Sequence, residues 1–217
     1  MGHDTRFDDR RALLSLREWG VDVIALPETN RNWNKEWLRN KWTNEVKRVW
    51  RHAKVFYASL DRPADTNAEF VQGGNCLIVA GKWASRVIEH GSDPLGRWVW
   101  ATLRGKQRER TTIVSMYRPN IGSQASGPAT VWAQQRSRIQ EMMGPESCQS
   151  DVDPRIKCLM DYEKWANEQK EAGHKVILMA DANQSIDDRK ERYNLSDLLE
   201  NNHLLSVMEV KYEGQAL

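Results

Sequence analysis

Two short apolar segments lie near opposite ends of the chain, and each runs directly into an acid. Val21-Asp-Val-Ile-Ala-Leu26 is followed by Pro27 and Glu28, and Val176-Ile-Leu-Met179 by Ala180 and Asp181. Runs of this length, rich in Val and Ile and bounded by Gly or Pro, predict buried strands. A sheet fixes the backbone just past its strands, so polar groups there are held where ligands and catalytic groups gather. Helix signals bracket the two segments. Thr5 to Trp19 reads as a helix with Leu13 and Leu16 facing a core and Gly20 as its stop, and about Lys41 to Ala53 as a second. Gly127-Pro128 opens another, to about Met143, and Asp153-Pro154 opens one to Ala172. Ser196 to Asn202 reads as a short last helix capped by Ser196. Between them come strand-like runs: Val55 to Leu60, Asn75 to Ala80, Arg86 to Glu89, Trp98 to Leu103 and Thr111 to Met116. The turn from Arg104 to Arg110 makes the last two a hairpin with a basic tip. Helices around a block of hairpin-linked strands predict α/β layers with a mixed sheet.

Composition narrows the class. At 217 residues the chain is long enough for one domain with a sizeable core. No apolar run approaches the ~18 residues of a membrane helix, mean hydropathy is −0.73, and the charged start, Met1 to Arg10, lacks the apolar centre of a signal peptide. Cys76, Cys148 and Cys158 have no CxxC spacing and read as free thiols of a reducing, intracellular compartment. No Walker, HExxH or GxSxG motif occurs. The net charge of +2 is mild, but its distribution is uneven. Arg31 to Lys54 carries eight Lys/Arg against Glu36 and Glu45, whereas Asp181 to the end carries four against eight acids. A basic surface beside an acidic cluster suits a metal-dependent enzyme acting on phosphates, and it also suits an ordinary solvated surface.

Glu28 and Asp181, with Asn30 and Asn183 beside them, offer the hard oxygen donors that suit Mg²⁺. Either acid alone reads more readily as a turn or helix cap; for the pair, in matching positions, the two readings are level. Asp181-Ala-Asn183-Gln-Ser185 opens like an EF-hand loop but has Ile186 for the glycine and Arg192 for the closing glutamate, which excludes a calcium loop. Tryptophans interleave with basic residues over Arg31, Trp33, Lys35, Trp37, Arg48 and Arg51, a pattern that can track phosphates while stacking bases. Trp42 and Trp50 fall on an apolar helix stripe and read as core; Trp33 and Trp37 precede it and are expected to be exposed.

Four segments in order, Asp22-Val-Ile-Ala-Leu-Pro-Glu28-Thr, Gly73-Gly-Asn-Cys-Leu-Ile-Val79, Ser115-Met-Tyr117-Arg-Pro-Asn120 and Gly173 to Asn183, resemble the endonuclease/exonuclease/phosphatase superfamily. That superfamily includes apurinic endonucleases and the endonucleases of non-LTR retrotransposons. The resemblance implies a four-layer α/β sandwich with mixed sheets. It implies Glu28 as the metal-binding glutamate, Tyr117 as the phenol beside the scissile phosphate, Asp181 as the residue that activates water, and Asn183 as an amide bonded to the transition state. It further implies Mg²⁺ or Mn²⁺ as cofactor and DNA as partner. Two parts of the superfamily pattern have no counterpart here: a first strand carrying asparagine, and a closing Asp-His pair. His203 stands in Asn201-Asn-His-Leu-Leu205 with no preceding acid. The chain thus reads as one endonuclease-like domain, incomplete at both ends and weak or inactive in isolation. A non-catalytic nucleic-acid-binding relic of a mobile element and a phosphatase of the same superfamily are the alternatives.

Overall fold

The computed structural model describes residues 5–61, 68–121, 127–144 and 152–211. Cys148 lies outside them. Helix α1 (Thr5–Glu18) and strand β1 (Val23–Leu26) come first, followed by α2 (Glu36–Val49), β2 (Lys54–Ala58) and β3 (Asn75–Val79). The chain then forms β4 (Val87–Ser92), β5 (Trp98–Arg104) and β6 (Arg110–Tyr117). Helices α3 (Val131–Met143) and α4 (Pro154–Glu171) lead to β7 (His174–Asp181), α5 (Leu195–Asn201) and α6 (Val207–Lys211).

Local chemistry explains most of these boundaries. At the end of α1 the Val21 N–H reaches back to Leu16 O, and Gly20 takes φ +73°, the left-handed turn that glycine adopts without a Cβ penalty. Asp153 caps α4 by accepting from Arg155 N, and Pro154 occupies its first turn. Three helix starts differ from expectation. Helix α2 begins at Glu36, whose carboxylate suits the positive end of the helix, so Trp37 and Leu38 are helical. Helix α3 begins at Val131 because Thr130, not Gly127-Pro128, supplies the cap, accepting from Ala133 N. Asn194 caps α5, in a reciprocal pair with Asp197, so Ser196 is already inside the helix.

The strands form two sheets. The first has order β1-β3-β2 and is antiparallel throughout; the second has order β4-β5-β6-β7, with β6 and β7 parallel. The expected hairpin is present, running from Trp98↔Met116 to Arg104↔Arg110. The sheets pack face to face through Phe56, Leu77 and Val79 against Val99, Leu103 and Ile113. Helices cover both outer faces. Leu13, Leu38, Val46 and Val49 of α1 and α2 pack on Ile24 and Ile78, while Leu159, Tyr162, Ala166 and Leu198 pack on Trp98, Val114 and Met116. The result is the expected four-layer α/β sandwich. No described helix is long and apolar enough to cross a membrane.

Cys76 and Cys158 are free and fully buried, one in each helix–sheet core. Burial pushes their thiols up, Cys76 to about 12 and Cys158 to about 11. A thiol held above its unfolded value is less ionised, so both should alkylate slowly in the native protein at pH 8 and rapidly after unfolding. Peptide mapping after an iodoacetamide pulse checks this; rapid native labelling of either would contradict the packing.

Candidate active site

The register of the sheets decides which residues meet. β1, β2, β6 and β7 all run toward the same end of the sandwich, where Leu26 pairs with Cys76, Ala58 with Asn75 and Tyr117 with Asp181. Glu28 follows β1 by two residues, and Asn183 follows Asp181 by two. The Asn75 amide ties the sheets together at this end, donating to Gly96 O at 2.9 Å and Arg97 O at 3.0 Å.

Glu28, Tyr117, Asp181 and Asn183 therefore share one end of the molecule, as expected from their positions after strands. Tyr117 is buried, and its phenol lies beside the Glu28 carboxylate. Burial is the main cause that raises its pKa well above the usual tyrosine range, and the negative charges of Glu28 and Asp181 add to it. Tyr117 thus stays protonated at neutral pH, its phenol facing the negative charge of two carboxylates. The Asn183 side-chain amide donates to Arg118 O at 2.7 Å, and the Asn183 N–H to Asp181 Oδ1 at 3.2 Å. The next residue of the β6 end, Arg118, donates its backbone N–H to Asp181 O at 2.9 Å.

Both acid-bearing turns hold strained backbone. Glu28, Asn30 and Asn183 take φ +49°, +53° and +47°, a left-handed region that non-glycine residues rarely occupy. The Glu28 turn is zipped to Gly73-Gly74: Thr29 N–H donates to Gly74 O, Asn30 N–H to Gly73 O, and Gly73 N–H to Asn30 Oδ1. Asn30 is thereby a structural clasp. A Cβ on Gly74 would meet Thr29 Oγ1 at 3.1 Å and Trp33 Cδ1 at 3.2 Å, so this close approach needs glycine. The pairing between Thr29-Asn30 and Gly73-Gly74 spans more than 40 residues and carries no local sequence signal.

Trp33 corrects the expectation of exposure. It is only 4% exposed, stacks on Tyr57 with ring centroids 4.6 Å apart, and donates its indole N–H to Thr29 Oγ1 at 2.7 Å. It supports the Glu28 turn from below and is not a surface platform, because β2 brings Tyr57 beside it. Trp37 is half-exposed, with Lys41 over its ring. Trp42 and Trp50 pack partly buried against the core, as expected.

The basic stretch is divided by the direction of α2. Arg31 and Lys35 precede the helix, on the side of the Glu28 turn; Arg31 forms an isolated backbone bridge with Phe70. Arg48 and Arg51 follow its course to the other end, just before β2 starts at Lys54, which pairs with Val79 as Val23 does. A 14-residue helix is about 21 Å long. The Arg17 guanidinium, at the end of α1, donates to Val49 O at that same far end. Arg48 and Arg51 thus stand away from Glu28, and Arg48 pairs with Glu45 at 2.5 Å. Replacing both with alanine should leave the salt dependence of any nucleic-acid binding unchanged; each lost phosphate contact would instead lower the log–log slope by about 0.9. A titration against NaCl distinguishes the two, and a flatter slope would place nucleic acid on the far end.

His174 sits at the start of β7, paired with Arg110 and bonded through Nδ1 to Thr112 Oγ1 at 3.0 Å, at the end opposite Asp181. His203 lines a cavity of about 630 Å³ whose walls come from residues 186–206. Among the described residues no group of three or more His, Cys, Asp or Glu is placed to hold a metal ion by itself.

No family model matches the sequence, and no curated protein matches it. Solved structures do. The human Nocturnin catalytic domain, determined with a bound sulfate anion, superposes with TM-score 0.52 at 12% identity, over 96% of this chain and 68% of that one. An endonuclease/exonuclease/phosphatase from Beutenbergia cavernae gives TM-score 0.46 at 14% identity, over 92% of this chain and 50% of that one. The chain therefore shares the α/β-sandwich fold of the Nocturnin catalytic domain.

Proposed function

We propose that this chain is a divalent-cation-dependent phosphodiester hydrolase acting on DNA, of the retrotransposon-endonuclease kind. The observation that carries the reading is the meeting of Glu28, Tyr117 and Asp181 at one sandwich end, on turns that hold left-handed Glu28 and Asn183. Strained non-glycine backbone concentrates at functional sites, and two independent turns show it here.

The donor set fits Mg²⁺ or Mn²⁺. Mg²⁺ is commonly held by one or two carboxylates, with water and substrate phosphate completing its shell. Glu28 is exposed and Asp181 half-buried, and Tyr117 responds to both charges, so Glu28 would hold the ion with Asp181 close by. When bound, the ion supplies positive charge to the phosphate and the leaving oxygen. The chain's own residues do the rest. Asp181 accepts a proton from the attacking water, its carbonyl anchored by Arg118 N–H. Asn183 and the neutral Tyr117 phenol donate toward oxygens on which charge grows. The half-exposed Trp37, with Arg31 and Lys35 near the same end, would contact the DNA flank.

The test is relaxation of supercoiled plasmid with Mg²⁺ or with EDTA. The expected result is slow nicking that EDTA abolishes. The rate is expected to be slow because none of the described histidines joins the four residues in the contacts that define the site. Relaxation that is equal with Mg²⁺ and with EDTA, or none at all, would overturn the reading.

A further inference from the structure

Behind the site lies a buried ion cluster that the proposed chemistry does not use. Arg118 is fully buried and Arg155 almost so, and both guanidiniums bind one carboxylate, Glu191. Glu191 Oε1 accepts from Arg155 Nε at 2.8 Å, and its Oε2 accepts from Arg118 Nη2. The remaining guanidinium N–H groups reach acceptors on three segments, all backbone carbonyls except the Gln184 side chain. Arg118 Nε donates to Arg155 O at 3.1 Å, and Arg118 Nη1 to Gln184 Oε1 at 2.7 Å. Arg155 donates through Nη1 to Pro119 O and through Nη2 to Asn183 O at 3.3 Å.

Two arginines against one glutamate leave a net positive charge in a buried cluster. Burial and Arg155 push the Arg118 pKa down, and Glu191 offsets them. Removing the carboxylate would leave two like charges facing each other without a counter-ion. Arg118 follows Tyr117 directly, and Asn183 is held in its left-handed turn by bonds to Arg118 O and from Arg155. The cluster is therefore the clamp between the β6 end, the start of α4 and the Asp181–Asn183 turn.

We infer that Glu191 is a positioning residue: by bridging Arg118 and Arg155 it locks the strand end carrying Tyr117 to the turn carrying Asp181 and Asn183. Its effect on turnover rests on the hydrolase reading above; its effect on the turn does not. Two measurements test it. In native-state hydrogen exchange, Glu191→Gln should speed the amides of residues 117–118 and 181–184 by about tenfold or more and leave 76–79 and 99–103 within about threefold. On bis(p-nitrophenyl) phosphate with Mg²⁺, the same variant should lower kcat by about tenfold or more with KM within about twofold, and Glu191→Asp should recover part of the loss. Unchanged exchange at 181–184, or equal loosening of all strands, would overturn the inference. Should Glu191→Gln fail to fold, exchange in the unaltered protein decides: 117–118, 155–156, 181–184 and 190–192 should open as one unit. Independent opening of 190–192 while 181–184 stays protected would overturn it. A chain that exchanges as expected yet hydrolyses nothing would refute the hydrolase reading and leave the clamp standing.

Discussion

Asp181→Ala and Glu28→Ala are each expected to lower the Mg²⁺-dependent rate by about 10²–10⁴-fold, roughly 3–5 kcal/mol of barrier. The reasoning differs for the two. Asp181 would take the proton of the attacking water, so its loss acts on kcat. Glu28 would hold the cation, so part of its loss should be recovered at high Mg²⁺. Glu28 also lies beside the Tyr117 phenol, so its loss changes the charge that this phenol faces. Initial rates across a Mg²⁺ series separate the effects. A Glu28→Ala rate independent of Mg²⁺, at the level of the unaltered protein, would remove Glu28 from the site.

The second large effect is on stability and lies away from the site. Asp93 and Arg97 form a buried pair between β4 and β5, both side chains 4% exposed. Asp93 Oδ2 accepts the backbone N–H of Leu95 at 3.0 Å and of Arg97 at 3.1 Å, and the Arg97 Nε at 2.8 Å; Oδ1 accepts Nη2 at 2.8 Å. Breaking such a pair strands a buried charge and typically costs about 3–5 kcal/mol. Arg97 keeps a second partner, Asp161 at 2.8 Å, so Asp93→Ala should cost about 3 kcal/mol. Arg48→Ala, which removes an exposed pair with Glu45, should change stability by less than about 0.5 kcal/mol. Urea unfolding of the three proteins measures both. Equal losses would contradict the burial of the Asp93–Arg97 pair.

What could be read from the sequence was local. Strands β1 and β7 show as apolar runs that stop at Pro27 and Asp181, so the two acids could be placed after strands before any pairing was known. The β5–β6 hairpin and the Asp153-Pro154 start of α4 rest on turn and cap chemistry within a few residues. What could not be read depends on partners far along the chain. Trp33 is buried because Tyr57 and Thr29 meet it, and the direction of α2 sends Arg48 to the opposite end from Arg31. Glu191 sits in an irregular segment with no periodic pattern, yet it pairs with Arg118 and Arg155, 73 and 36 residues away. The clasp of Asn30 on Gly73 is of the same kind. Charge composition alone cannot tell a surface arginine such as Arg48 from a buried one such as Arg118.

On the proposed reading, Glu28 and Asp181, more than 150 residues apart in sequence, serve one reaction. Residues that act as a unit lose activity non-additively, because removing either already disables the step. The most direct measurement is therefore a double-mutant cycle of Mg²⁺-dependent plasmid relaxation: the unaltered chain, Glu28→Ala, Asp181→Ala and the double variant. A shared site predicts that the double variant is no more than about tenfold slower than the slower single variant. Single variants that relax plasmid as fast as the unaltered chain, or losses that multiply in full, would contradict it.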